Sequence, residues 1–284
     1  MSEGTISTTS AKAVVYPGPA EGLARFKMVV EYNGTDYSGW QRQENAPSIQ
    51  QTLEEAVEAF CGVQVFAQAA GRTDAGVHSS GQVVHLDLPE HHIPMRVMGA
   101  LNAHLRPAPI AVRDVERAKP GFHARFSATS RRYLYRIQSR RAPAALDQGR
   151  VWWVPVTLNV EAMQEAAFFL VGTHDFSTFR AAACQAKSPV KTLNELRVEQ
   201  AFSVDGIEEI HIHAEAPSFL HHQIRNIAGT LGLVGRGSWE PRDVQQALEK
   251  CDRRAGGPTA PASGLCLAKV EYADPDPIAD PEKV

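Results

Sequence analysis

The chain has 284 residues, of which 43% are hydrophobic and 21% charged, and its formal net charge is −3. This length and composition are typical of a globular protein with one large or two modest domains. No apolar run is long enough to cross a membrane, and the first residues lack the order of a secretory signal. The four cysteines are scattered without Cys-x-x-Cys spacing, which argues against a disulfide framework. We therefore expect a cytoplasmic protein with reduced thiols and no membrane attachment.

The N-terminal part of the chain predicts a tail, a strand and a helix. Residues 1–24 are rich in Ser, Thr, Ala, Gly and Pro without periodicity, so we expect a disordered tail. Arg25–Tyr32 alternates as a strand does, and the aromatic and polar residues Tyr37–Gln43 follow as a loop. A capping box formed by Ser48 and Gln51 then predicts the start of an amphipathic helix.

The segment Ala70–His78 is a glycine-rich loop between two predicted strands, Val63–Ala69 and Val83–Leu88. It brings the carboxylate of Asp74 and the guanidinium of Arg72 together at a strand end, where catalytic groups are often found. The alternative is that Asp74 is only a turn former whose side chain bonds to the local backbone. This segment alone does not decide between the two interpretations.

Residues 101–150 form a basic stretch, with eleven Lys or Arg against three Asp or Glu and a local net charge of +8. A basic stripe on a mildly acidic protein is compatible with nucleic-acid binding, and a solvated arginine-rich surface is the alternative. Tyr133 alternates here with Arg132 and Arg136, a mixture that suits RNA because bases stack on rings while cations bind phosphates. Ordinary core packing is the alternative for the tyrosine.

The rest of the chain alternates between helices and strands, which predicts an α+β fold. We place a domain boundary near residue 121, so that subdomains 25–121 and 122–273 face each other across a cleft and an acidic tail, 274–284, follows. The other predicted elements are a helix at Pro94–Leu105, strands at Ile110–Arg117 and Ser130–Ile137, a helix at 159–171, a loop at Gly172–Arg180, strands at Leu193–Phe202 and Glu208–Ala216, a helix around Ile224–Val234, a helix at Pro241–Cys251 and a strand at Leu265–Tyr272.

Motifs for the common chemistries are missing from this sequence. There is no phosphate loop, dinucleotide-binding motif or nucleophile elbow, and the eleven histidines show no zinc-site spacing, so we expect no metal. Asp74 suits a nucleophile or a general base. A glycoside hydrolase would need a second carboxylate at a defined distance, and Asp87, thirteen residues later at the far end of a strand, is poorly placed. Cys61 and Cys251 lie in apolar helical patterns, so we expect both to be buried.

Four blocks, taken together and in this order, resemble the signature blocks of TruA-type tRNA pseudouridine synthases. The resemblance extends over roughly Phe26 to Tyr272. The blocks are Tyr37-Ser-Gly-Trp-Gln-Arg-Gln43, Gly71-Arg-Thr-Asp-Ala-Gly-Val-His78, Phe122-His-Ala-Arg-Phe-Ser-Ala-Thr-Ser-Arg-Arg-Tyr133 and Phe219-Leu-His-His-Gln-Ile-Arg-Asn226.

The resemblance implies a role for particular residues. Asp74 matches the catalytic aspartate, Tyr133 the active-site tyrosine that packs on the target base, and Arg225 the basic residue expected to pair with the aspartate. Arg72 is expected to help displace or hold the flipped uridine. The arginines of the third block, Arg125 and Arg132, are expected to contact the substrate.

The resemblance also implies the reaction and the assembly. The family isomerises uridine to pseudouridine in the tRNA anticodon stem-loop, at positions 38 to 40, without a cofactor. It is homodimeric, with two similar subdomains that have mainly antiparallel sheets and enclose a basic active-site cleft. Two other functions stay open from the residues alone. One is a catalytically silent RNA-binding protein, and the other is a hydrolase with Asp74 as its nucleophile.

Overall fold

The structure, a computed structural model, describes residues 17–203 and 206–273. Most of the predicted N-terminal tail, residues 1–16, and the whole predicted acidic tail, 274–284, lie outside the described residues. Within the described ranges, no helix combines the length and the apolar character needed to cross a membrane.

Helices and strands alternate along the described chain. The strands are β1 (Leu23–Tyr32), β2 (Gln68–Ala69), β3 (His78–Pro89), β4 (Ile110–Arg117), β5 (Ala128–Ser139), β6 (Trp152–Val154), β7 (Gly172–Asp175), β8 (Val190–Leu193), β9 (Glu195–Phe202), β10 (Glu208–Ala216) and β11 (Leu265–Tyr272). The α-helices are α1 (Ile49–Cys61), α2 (Pro94–His104), α3 (Val160–Phe168), α4 (Gln223–Gly235) and α5 (Pro241–Glu249).

Nine of the described strands form one mixed, mostly antiparallel sheet, which confirms the α+β class. Its main path runs β4-β1-β3-β11-β5-β10-β9, with β2 on β3 and β6 on β5. The last strand, β11, lies between β3 and β5: Leu267 is opposite Ser79 in a parallel pair and opposite Tyr133 in an antiparallel pair. Because β11 pairs with strands of both predicted subdomains, the two halves share one continuous sheet, which the alternation pattern did not predict.

Each half of the sheet has its own group of buried apolar side chains. The first group comes mainly from β1, β3, β4, α1 and α2 and includes Phe26, Met28, Leu53, Val57, Leu86 and Leu101. The second comes mainly from β5, β10, α3 and α4 and includes Tyr135, Ile137, Met163, Ile212, Ile227 and Leu231. A smaller third group, which includes Val83, Ala124 and Leu267, joins them around β11. Apolar side chains from both halves of the sheet therefore pack around the strands next to β11.

Several predicted elements differ from the observed ones. The predicted strand before the glycine-rich loop is only two residues long, β2. The predicted loop Gly172–Arg180 begins with the strand β7, which pairs with β8 over four residues. Strands of this length are too short to show a periodic pattern in the sequence. Cys251 is exposed rather than buried, because α5 ends at Glu249 and Cys251 lies beyond it with a φ of 48°.

Candidate active site

The backbone at Asp74 is held by contacts from β1 and from the loop after it. The buried Thr73 accepts a hydrogen bond on its carbonyl oxygen from the backbone N–H of Trp40, at 3.1 Å. The Thr73 hydroxyl lies 2.8 Å from the phenol oxygen of Tyr32. Gly39 has a φ of 92°, and a Cβ there would lie 2.5 Å from the Thr73 carbonyl oxygen, so this close approach requires glycine. The predicted aromatic loop therefore supports the loop that carries Asp74.

Arg225, which projects from the first turn of α4, forms an ion pair with Asp74. Its Nη1 lies 3.2 Å from Asp74 Oδ2, and the two side chains are only 15% and 19% exposed. Arg225 Nε also donates to the carbonyl oxygen of Ala260 at 2.9 Å, and the Ala260 N–H donates to the Arg225 carbonyl oxygen at 3.0 Å. Ala260 thus contacts both the backbone and the guanidinium of Arg225, and the guanidinium is directed at the Asp74 carboxylate. The structure brings these two predicted residues together, and Asp74 is more than a local turn former.

Two histidines to which the sequence patterns assigned no role also face Asp74. His221 Nε2 lies 3.4 Å from Oδ1, and His222 Nε2 lies 3.5 Å from Oδ2. Their ring centroids are 4.0 Å apart. His222 precedes α4 in the left-handed conformation, with a φ of 61° and a ψ of 6°. The available signal was their place in the fourth block, three and four residues before Arg225, but a sequence does not show which side of a turn a ring faces.

Burial lowers the pKa of the His222 imidazole from its ordinary value, and the charge of Asp74 only partly offsets this effect. The neutral form of the His222 ring is therefore favoured at neutral pH. The Asp74 carboxylate consequently has a permanent cation, Arg225, at 3.2 Å and a neutral imidazole, His222, at 3.5 Å.

Tyr133 lies on β5, and its ring meets the ring of Phe219 edge to face, with the centroids 5.3 Å apart. Burial raises the pKa of its phenol, and the charges of Tyr32 and Asp74 add to the effect. The phenol is therefore protonated at neutral pH. Its ring can still provide an apolar face on which a nucleobase stacks near Asp74.

We expect Tyr133→Phe to retain turnover near the wild-type level, because stacking uses the ring and not the hydroxyl. Tyr133→Ala should lower kcat/KM about 10- to 100-fold, since stacking on one aromatic side chain stabilises a bound base by about 1–3 kcal/mol. The measurement is pseudouridine formation under single-turnover conditions, with thermal unfolding of each variant as the control for folding. Equal losses in both variants would show that the hydroxyl itself takes part.

The other predicted substrate-binding arginines lie outside this cluster. Arg72 and Arg125 are exposed, and the Arg125 guanidinium lies 5.5 Å from the centroid of the Phe126 ring. Arg132 is paired with two carboxylates, Glu215 at 2.7 Å and Glu271 at 3.5 Å, which neutralise much of its charge. Among the residues that the structure describes, none of these three arginines forms an ion pair with Asp74.

Arg136, which the alternation with aromatic residues made a candidate RNA contact, belongs to an internal network. Its guanidinium donates to both carboxylate oxygens of the fully buried Glu209, at 2.6 and 2.8 Å, and to Asp147 at 3.2 Å. Burial alone would raise the pKa of Glu209, but hydrogen bonds from three neighbouring side chains outweigh it and lower the pKa to about 2. Arg136 therefore supports the pairing of β5 with β10.

One group of side chains in the described part of the chain has the spacing of metal ligands. The ligand atoms of Asp74, His221 and His222 all lie within 4.8 Å of one another. However, Arg225 already neutralises the single carboxylate of this group, so a divalent cation would add two uncompensated charges. We assign no metal to the site.

Comparisons with known proteins identify the family of this chain. A family model described as tRNA pseudouridine synthase matches residues 28–127 and 166–273. A tRNA pseudouridine synthase A of Paramagnetospirillum magneticum is 57% identical over 251 residues, which cover 88% of this chain and 96% of that protein. Proteins of the same name are 56% identical in Rhodospirillum rubrum (92% and 91% covered) and 53% identical in Caulobacter vibrioides (89% and 100% covered). The chain belongs to the tRNA pseudouridine synthase family.

Proposed function

We propose that this protein isomerises uridine to pseudouridine in the anticodon stem-loop of tRNA, at positions 38 to 40. The observation that carries the proposal is the Asp74–Arg225 ion pair, held by backbone contacts at both residues, in a chain that belongs to the tRNA pseudouridine synthase family. A partly buried ion pair is costly to desolvate, and such pairs are often functional.

The proposed reaction begins with extrusion of the target uridine, because the reacting atoms are inaccessible inside a stacked stem. The ring of Tyr133 then supports the base, and Arg72 holds or displaces the extruded nucleotide. Asp74 assists cleavage of the bond between N1 and C1′, and Arg225 orients the carboxylate throughout. The freed base rotates, and C5 bonds to C1′.

The proposed reaction needs neither a metal nor a redox cofactor, because it is an isomerisation in which the substrate provides every bonded atom except an exchanged proton. We further propose a cytoplasmic homodimer whose tRNA lies in a basic cleft between two similar halves, 25–121 and 122–273. Support for the cleft comes from the position of the site, since Asp74 belongs to the first half and Arg225 to the second.

The test is release of tritium from [5-³H]uridine in an unmodified tRNA, without cofactor and with a chelator present. Formation of the bond between C5 and C1′ must expel the hydrogen from C5, so the wild-type protein should release tritium to water at the rate at which pseudouridine forms. Tight tRNA binding without release would instead support a catalytically silent RNA-binding protein. Hydrolytic loss of uracil from the tRNA would support a hydrolase.

Arg72→Ala and Arg125→Ala should each weaken tRNA binding and reduce the slope of log Kd against log salt by about 1, because each removes an exposed cation available to a phosphate. The matched control is Arg197→Ala, which removes a half-exposed arginine of β9 that two glutamates already neutralise. Filter binding at several salt concentrations gives the slopes. A slope unchanged by either substitution would place the phosphate contacts elsewhere.

A further inference from the structure

Arg131 is a buried arginine of β5, only 9% exposed, and the proposed reaction assigns it no role. Among the residues that the structure describes, no carboxylate forms an ion pair with it. Two other arginines of the same strand are neutralised, Arg132 by Glu215 and Arg136 by Glu209. A buried cation without a carboxylate partner is costly to desolvate, so its retention calls for a reason other than the pairing of strands.

Four backbone carbonyl oxygens surround the Arg131 guanidinium in place of a carboxylate. Its Nη2 donates to Ala70 at 2.8 Å and to Arg125 at 2.6 Å. Its Nη1 donates to Pro217 at 2.6 Å and to Ala128 at 3.2 Å. Because the guanidinium is planar and its hydrogens have fixed directions, these bonds fix the distances between the segments that supply the carbonyls.

Two of these segments lead directly to the candidate active site. The buried Ala70 comes four residues before Asp74, in the first half of the chain. Pro217 comes two residues before Phe219, whose ring meets the ring of Tyr133. Tyr133 follows the buried arginine by two residues on β5, so both side chains lie on the same face of that strand. One guanidinium therefore joins the loop of the carboxylate to the segment that supports the tyrosine ring.

We infer that Arg131 is a positioning residue of the isomerisation. It sets the distance between the Asp74 loop and the segment of Phe219, so that the carboxylate reaches the target base while Tyr133 supports that base. The residue is buried and acts only through these neighbours. A displacement of about 1 Å at a reacting group can lower a rate on the order of 100-fold, so loss of this link should slow the reaction. The inference rests on the proposed function, because it assigns a role in that reaction.

The experiment measures tRNA binding and single-turnover pseudouridine formation in Arg131→Lys. Lysine keeps the positive charge, but its ammonium offers three hydrogens from one atom and cannot reach carbonyl oxygens on both arms of the former guanidinium. We expect the single-turnover rate to fall about 100-fold. The Kd for tRNA should stay within a few-fold of the wild type, and its salt dependence should not change, because a buried cation makes no phosphate contact.

The matched control is Arg136→Lys, which removes a second mostly buried guanidinium from the same strand. Its partners are Glu209 and Asp147 rather than the segments that lead to the site. This variant should unfold at a lower temperature than the wild type, yet it should keep the wild-type rate while folded. Equal losses of stability accompanied by equal losses of rate in the two variants would show that Arg131 is merely structural.

A second variant, Arg131→Ala, tests the geometry by chemical rescue. Added ethylguanidinium should restore part of its turnover, because this cation can bind the same carbonyl oxygens. Ethylammonium, which has the same charge without the planar group, should restore none.

Several results would overturn the inference and leave the proposed function standing. They are a folded Arg131→Lys that turns over at the wild-type rate, a loss confined to Kd, and equal rescue of Arg131→Ala by the two cations. Failure of both Arg131 variants to fold would assign the guanidinium to stability alone. Absence of tritium release from the wild type would overturn the proposed function itself, and the inference with it.

Discussion

Asp74→Asn should lower the rate of pseudouridine formation at least about 1,000-fold, because the amide oxygen cannot replace a carboxylate as nucleophile or base. The substitution keeps the size of the side chain and an oxygen that can still accept a hydrogen bond from Arg225. tRNA binding should therefore remain within a few-fold of the wild type, and the loss should lie in kcat. Single-turnover tritium release together with Kd measurements separates the two quantities.

The control for this variant is Asp114→Asn, which removes an exposed carboxylate from β4 and should leave both turnover and binding unchanged. Thermal unfolding of Asp74→Asn must also be followed, since Arg225 is mostly buried and loses its charged partner. If folded Asp74→Asn turns over at the wild-type rate, Asp74 is not the catalytic carboxylate and the site assignment is wrong.

Gly229→Ala should lower the free energy of unfolding by at least about 3 kcal/mol. Gly229 lies in α4, and a Cβ there would be 1.8 Å from the carbonyl oxygen of Pro258. That neighbour is backbone in a packed region and cannot rotate away as a side-chain end does. The added methyl group must push away the segment that contains Ala260, which holds the Arg225 guanidinium, so turnover should also fall.

Gly99→Ala is the matched control, because Gly99 is an exposed glycine of α2 with no atom near the position of an added Cβ. Alanine is the better helix former, so this variant should gain about 0.5–1 kcal/mol of stability. Urea unfolding monitored by circular dichroism compares the two variants directly. A Gly229→Ala protein as stable as the wild type would mean that α4 and the Pro258 segment move apart at little cost.

Features that depend on neighbouring residues along the chain were predictable from the sequence. Ser48 was predicted as the N-cap of α1 and caps it, although the Gln51 side chain bonds to Glu55 and does not complete the capping box. The predicted bounds of β4, β10 and β11 agree with the observed ones, because capping and long alternation are local properties. The residue patterns missed β7 and overestimated the length of β2. Segments of two to four residues are too short for a period to be recognised.

Residue patterns were enough to predict the α+β class, most of the helices and strands, and the blocks that contain Asp74, Tyr133 and Arg225. Residue type and local spacing carry that information, and neither depends on distant contacts. The folded chain was needed to show that β11 joins both halves in one sheet and that Arg136 binds the buried Glu209 rather than lying on a free surface. The fold also brings the rings of His221 and His222 to within 3.5 Å of the Asp74 carboxylate. Each of these outcomes depends on pairing between residues far apart in the chain, because the direction of a side chain is set by what the fold places opposite it.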